Sequence, residues 1–204
     1  MNVMVIPEDS RTDKYILEPI IKAMLTHMGK NPARVRICED PPMGGYEGAT
    51  NPAQLSQVVK QYGDVELFVV IVDLDGKPGR RQKFVELEIA DGISKSLGAN
   101  RTLITEGARQ EVEVWALAGA DDFPKRDWRD VRNHPHPKEA YFIPFVETRR
   151  PRLGNGKERA ILGKEARKNY AKVSRLCPEV AHLEKRIREY IDTGVRPGEP
   201  FDEK

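Results

Sequence analysis

Leu67-Phe68-Val69-Val70-Ile71-Val72 is an unbroken apolar run, and it stops abruptly at Asp73-Leu74-Asp75-Gly76. A run this short, this apolar and this rich in β-branched residues predicts a strand buried on both faces. Such a strand needs covering layers on each side, and here it delivers two carboxylates to its C-terminal edge. If the strand continues past Val72, Asp73 and Asp75 point the same way, because side chains alternate with period two. Two converging carboxylates repel unless a cation lies between them. What the rest of the chain brings to that edge therefore matters most.

The flanking segments alternate between strand and helix patterns. Asn2 to Ile6 is a short strand, broken by Pro7-Glu8-Asp9-Ser10. Thr12 to about Met28 has helical spacing, with Ser10 or Thr12 as the N-cap and Gly29 as the stop. Arg34 to Cys38 predicts a second strand, residues 39–51 a Pro- and Gly-rich loop, and the segment after Pro52 a short helix. The strand Glu66 to Val72 follows, then a loop over Gly76–Gly79. Phe84 to Leu97 reads as one helix and Arg101 to Thr105 as a fourth strand. Glu111 to Ala118 is ambiguous: its alternation favours a strand and its Ala and Leu content a helix. Asp121 to Pro144 reads as irregular, Lys157 to Leu176 and Pro178 to Ile191 as helices, and the end from Thr193 as a frayed tail.

This order implies an α/β core over residues 1–120 with a mostly parallel, Rossmann-like sheet of about four strands flanked by helices. Residues 121–192 form an irregular segment and C-terminal helices packed on that core, and 193–204 a flexible tail. Sheets of this class bind ligands beyond the carboxyl ends of their strands, where the strand order switches direction. If the first and third strands are neighbours, Glu8 and the Asp73/Asp75 pair emerge at one edge.

Composition narrows the class. The chain has 204 residues, 39% of them hydrophobic and 32% charged, which suits a folded and polar globular protein. No apolar run is long enough to span a bilayer. The N-terminus lacks the pattern of a secretory signal, so a cytoplasmic location without membrane association is the expectation. Cys38 and Cys177 are too few and too far apart to suggest a disulfide framework.

Acidic residues recur where this architecture places a site. Glu8 ends the first strand, with Asp9 and Asp13 close behind; Asp73 and Asp75 end the third; Glu111 and Glu113 follow the fourth. Hard oxygen ligands of this kind suit Mg²⁺ or Mn²⁺ rather than zinc. Two such ions can hold a phosphodiester, activate water and stabilise the leaving oxygen. The plainer reading is that strand ends commonly carry Asp and Glu.

These residues resemble the signature of the Toprim superfamily, which includes topoisomerases, bacterial primases and overcoming-lysogenization-defect nucleases. In that superfamily a strand-end Glu and a later Asp-x-Asp grip divalent metal. The likeness is greater to small stand-alone Toprim-like proteins, a domain of unknown function associated with phage defence. The matching motifs are Glu8, Asp73/Asp75, Glu113-Val114-Trp115 and Cys177-Pro178. The chain departs from the pattern at Asp9, where many Toprim proteins carry Gly, and at Pro7. The resemblance implies that Asp73 and Asp75 bind metal and that Glu8 is a ligand or general acid/base. It makes Asp13 a direct or outer ligand, and Glu113, ahead of Glu111, the late acid.

Basic residues suggest how a phosphate would be met. Lys77, Arg80 and Arg81 follow the Asp pair and could neutralise a transferring phosphate. Between Arg149 and Lys172 nine basic residues, Lys164, Arg167 and Lys168 among them, face two acids. That excess is either a nucleic-acid-contacting face or a solvated helix. His134-Pro135-His136 lacks partners for a zinc site, and Gly154-Asn155-Gly156-Lys157 lacks the spacing of a phosphate loop. The Gly44–Gly48 stretch reads as a plain connector or a substrate lid.

The first expectation is thus a metal-dependent nuclease acting on DNA or RNA, the effector of a prokaryotic defence or toxin-like system. The nuclease and defence elements come from the resemblance. The second is a non-catalytic module of the same fold that docks on an ATPase partner from the same operon. A nucleotide-processing phosphotransferase is the third. Oligomeric state is not legible.

Overall fold

The computed structural model describes residues 1–124, 126–149 and 157–194. Its centre is a four-stranded, all-parallel sheet in the order β2-β1-β3-β4, with β1 at Asn2–Pro7, β2 at Arg34–Ile37, β3 at Leu67–Asp73 and β4 at Thr102–Ala108. The chain steps outward from β1 to β2 and then returns to lay β3 on the other side of β1. The switch in direction therefore falls between β1 and β3, whose register pairs Pro7 with Ile71 and puts Glu8 and Asp73 at one edge.

Every β3 residue from Leu67 to Val72 is buried, as a strand covered on both faces must be. Val3, Val5, Leu67, Val69, Ile71 and Ile104 face one core, and Met4, Ile6, Phe68, Val70, Val72 and Leu103 face the other. The first core is closed by α1 (Lys14–His27), α6 (Glu113–Gly119), α9 (Lys157–Lys168), α10 (Tyr170–Leu176) and α11 (Pro178–Thr193). The second is closed by α2 (Tyr46–Ala49), α3 (Pro52–Gln61), α4 (Gln82–Ile89) and α5 (Asp91–Leu97). Local chemistry sets the ends. The Asn51 side chain caps α3 by accepting from the N–H groups of Ala53 and Gln54 at 2.9 and 3.1 Å, with Pro52 as first helical residue. Gly194, at φ +67°, ends α11 in the left-handed conformation.

Four sequence expectations change. Phe84 to Leu97 is two helices, because Ala90 is extended at ψ 124°. Lys157 to Leu176 is likewise broken at Asn169, whose side-chain amide donates to the Gly119 carbonyl at 2.8 Å and to Asp121 at 2.7 Å. The ambiguous stretch is helical: all of Glu113–Gly119 is buried, so no polar face marks its period. The stretch expected to be irregular, Asp121 to Pro144, is helical in large part from Trp128 onward. It holds α7 (Trp128–Asn133), a π-helical turn (Lys138–Phe142) and the start of α8 (Ile143–Arg149). Asp127 caps α7, accepting from the Arg129 N–H at 2.9 Å. Of the expected tail, 195–204 lies outside the described residues, as do Arg150, Arg152 and the Gly154–Gly156 stretch. Among the described residues no helix is long and apolar enough to cross a membrane.

The free edge of β4 is covered by side chains. Glu88 accepts from both the N–H and the hydroxyl of Thr105 at 2.6 Å, and Arg186 donates to the Thr105 carbonyl at 2.7 Å and to Glu88 at 2.5 Å. Arg186 is 2% exposed, so this network replaces the strand partner that the edge lacks. Glu106, fully buried, meets His182 Nδ1 at 2.9 Å and Arg81 at 3.7 Å.

Candidate active site

Four carboxylates lie near the switch point and influence one another electrostatically. Glu8 Oε1 accepts a 2.7 Å hydrogen bond from the backbone N–H of Asp73, the last residue of β3. Asp73 Oδ1 in turn accepts from the N–H of Val112 at 2.9 Å, which ties β3 to the start of α6. Asp13, just before α1, accepts from the Asp9 N–H at 3.2 Å and the Thr12 hydroxyl at 3.1 Å. Glu113, in the first turn of α6, is 3% exposed. Each acid thus sits where a strand ends or a helix begins, and a helix N-terminus favours negative charge.

Burial and mutual repulsion raise the pKa values of Glu8, Asp73 and Asp13. Desolvation raises Glu8 to about 7, with Asp75 and Asp13 adding to the rise and the Asp73 N–H and Arg80 opposing it. Asp73 is pushed well above the carboxylate range by desolvation, then by Glu113, Glu8 and Asp13. Asp13 is raised by desolvation and by Glu113, against the pull of the Asp9 N–H and Arg159. Carboxyls coupled in this way favour neutrality until a cation arrives.

Asp75 stands apart from its sequence partner. The strand stops at Asp73, and Asp75 and Gly76 take φ values of +48° and +63° in a tight turn closed by a 2.8 Å hydrogen bond from Lys77 N–H to the Leu74 carbonyl. That is a primed turn, favoured by an Asp-Gly pair. Asp75 therefore lies at the rim, where Arg80 donates to it at 2.8 Å and to the Asp73 carbonyl at 2.7 Å. The Gly44–Gly48 stretch docks beside it: Gly45 N–H donates to the Glu8 carbonyl at 3.1 Å, and the Tyr46 ring lies 4.2 Å under the Arg80 guanidinium. The connector is thus part of the site's wall.

The residue that sequence reasoning left out of the site is Arg159. Its guanidinium donates to Glu113, stands 3.6 Å from Asp13, and lies over the Phe142 ring at 5.4 Å. Two glycines bring it there. A Cβ on Gly163 would come within 1.9 Å of the Tyr15 carbonyl oxygen, and one on Gly119 within 2.3 Å of Ala166 Cα. Helix α9 is wedged against α1 and α6, so a side chain one turn before Gly163 reaches the acids at the starts of both. The signal available in the sequence was an Arg four residues before a helical Gly. Lys138, on the π-helical turn, adds a second cation 3.6 Å from Glu113. Glu111 accepts from the Lys138 N–H at 2.8 Å and so anchors that turn rather than entering the cluster.

The basic residues divide in two. Arg80 is ion-paired to Asp75, and Arg81 lies 3.7 Å from buried Glu106. Lys77 is exposed, as are Lys164, Arg167 and Lys168, on the face of α9 away from buried Leu162 and Ala166. Cys177 is fully buried and its thiol is pushed well up by burial, so the structure gives it no nucleophilic role.

The donor set is hard oxygen, the ligand type that Mg²⁺ takes. Among the described residues no three His, Cys, Asp or Glu side chains gather around one point as ligands. Among the described residues, the hydrogen bonds shown for the Glu8 and Asp73 carboxyls come from backbone N–H groups. Asp13 and Glu113 are already bridged by Arg159. No protein-family model, curated protein or solved structure matches the chain.

Proposed function

We propose that the chain is a divalent-metal-dependent phosphodiesterase acting on nucleic acid. The observation that carries this reading is that half-buried Glu8 and Asp73 stand side by side at the switch point of a parallel sheet, at the carboxyl edge where such sheets bind ligands. Glu8, poised near 7, suits proton transfer at neutral pH, and Asp73 suits ligation once its proton is displaced. An ion bound there supplies Lewis acidity toward a phosphate oxygen and an acidic water. Lys77 at the turn, and Lys164, Arg167 and Lys168 on α9, supply positive charge for the polymer. The resemblance to Toprim-like proteins supports the nuclease chemistry, and it alone supports a role in defence.

The test incubates the chain with plasmid, single-stranded DNA and transfer RNA in Mg²⁺ or Mn²⁺, alongside Asp73→Ala and Glu8→Ala. Metal-dependent cleavage that both substitutions abolish is expected. A wild type inert on every substrate, alone and with an ATPase encoded beside it, overturns the enzyme reading. A non-catalytic module that docks on such an ATPase is the second reading. It is favoured by the side-chain cations that neutralise Asp13, Glu113 and Asp75.

A further inference from the structure

We propose that a cleft walled by the π-helical turn and α8 takes one unpaired base of a single-stranded nucleic acid. The inference rests on the nucleic-acid reading above and names the form of polymer that is bound. The cleft has a volume of about 250 Å³ and is lined by Phe123, Tyr141 and Phe145, with Arg126 and Arg149. Sites for drug-sized molecules run to about 300–1,000 Å³, so this one suits a single ring system.

The walls are held in place by contacts of their own. Phe123 meets Phe145 edge to face at 5.1 Å and Trp128 at 6.2 Å, and the Trp128 indole donates to the Leu176 carbonyl at 2.7 Å. Arg149 lies 5.2 Å from the Phe145 ring and is fixed by Asp122 at 3.0 Å and Glu165 at 2.9 Å. Arg126 is exposed and lies 5.5 Å from the Tyr141 ring, and among the described residues no carboxylate pairs with it. Aromatic walls and guanidinium groups are the surfaces on which unstacked bases are held. The rings select a planar group, and Arg126 selects one with negative charge beside it. A nucleotide within a strand has both.

The cleft also adjoins the basic face and the acids. Glu165, which fixes Arg149, lies on α9 next to Lys164, and Lys168 of the same helix stands 3.5 Å from Asp121, the neighbour of Asp122. A backbone held by Lys164, Arg167 and Lys168 therefore passes the cleft. The π-helical turn is shared: Tyr141 lines the cleft, while Lys138 stands 3.6 Å from Glu113 and the Phe142 ring lies 5.4 Å from the Arg159 guanidinium. A base inside a duplex is stacked and paired, so only an unpaired one enters.

The test measures fluorescence anisotropy in EDTA, which prevents metal-dependent cleavage. The probes are a labelled oligothymidylate and an abasic strand of the same length. Wild type should bind the base-bearing strand about tenfold more tightly. Tyr141→Ala should remove that preference and leave abasic binding unchanged. A second oligothymidylate carrying 4-thiothymidine, crosslinked to wild type by near-ultraviolet light and mapped by mass spectrometry, should mark Phe123, Tyr141 or Phe145. Equal wild-type affinity for the two strands overturns the inference and leaves the nucleic-acid reading standing. So does a folded Tyr141→Ala that keeps the full preference, or crosslinks confined to residues outside 122–149. No binding of either strand overturns the nucleic-acid reading itself. Should Tyr141→Ala fail to fold, the crosslink positions on wild type decide.

Discussion

Glu8 and Asp73 are joined by a hydrogen bond that neither side chain alone would suggest: the Glu8 carboxyl accepts at 2.7 Å from the Asp73 main chain, while the Asp73 carboxyl turns to the Val112 N–H at 2.9 Å. The contact locks the ends of two adjacent parallel strands and sets two acids side by side. Burial of Glu8 is the largest cause of its pKa near 7, and this hydrogen bond opposes that rise.

Stability should depend on the Glu8 proton. The folded-state pKa is raised from 4.5 to about 7, so the folded protein holds the proton more tightly than the unfolded chain. The corresponding stabilisation is complete below about 4.5 and is lost as pH rises through about 7. In metal-free buffer the melting temperature should fall from pH 5 toward pH 8. Glu8→Gln keeps the acceptor for Asp73 without the ionisation and should flatten that fall; equal slopes for the two proteins would rule Glu8 out as the source.

Removing Arg159 leaves buried Glu113 short of its main partner. Breaking a buried pair costs about 3–5 kcal/mol, and Lys138 at 3.6 Å from the same carboxylate keeps the loss near the lower figure. Urea unfolding of Arg159→Met should report that loss, and Arg159→Met with Glu113→Gln should recover part of it. A double variant no more stable than the single one would show that Glu113 is not what Arg159 compensates.

The wedge of α9 predicts a steric penalty. Gly163→Ala would put a methyl 1.9 Å from the Tyr15 carbonyl oxygen, an overlap that only backbone movement relieves. A destabilisation of at least about 2 kcal/mol is expected by thermal melting. Gly79→Ala, where a Cβ meets open space, is the control and should change little.

At the sheet edge, Arg186→Met would strip both the Thr105 carbonyl and Glu88 of their buried cation. The expected outcome is a loss of about 3–5 kcal/mol together with concentration-dependent aggregation, because the β4 edge loses its cover. Light scattering during a thermal ramp reads both. A variant that melts like wild type and stays monodisperse would mean that α11 covers the edge without Arg186.

Much of this was legible in the sequence. The alternation of elements and the buried β3 run follow from hydrophobic period and from the rule that parallel sheets need crossover helices, whereas Glu8 beside Asp73 was legible only on the condition that β1 and β3 are neighbours, which the sheet order meets. The pairing of Asp73 with Asp75 did not survive, because Asp75-Gly76 makes a tight turn that carries the second carboxylate to the rim. Glu113 was legible as an acid but not as a helical one, since a wholly buried helix shows no polar face. Arg159 was hidden for a different reason. Its approach to Asp13 spans most of the chain, and two glycines at helix crossings create it, while in sequence Arg159 is one basic residue among nine between Arg149 and Lys172.

The most direct measurement is a crystal grown with MnCl₂ and read at the manganese absorption edge. An anomalous peak at the Glu8 and Asp73 carboxylates is the predicted result. The absence of any peak there under saturating Mn²⁺ would contradict the account.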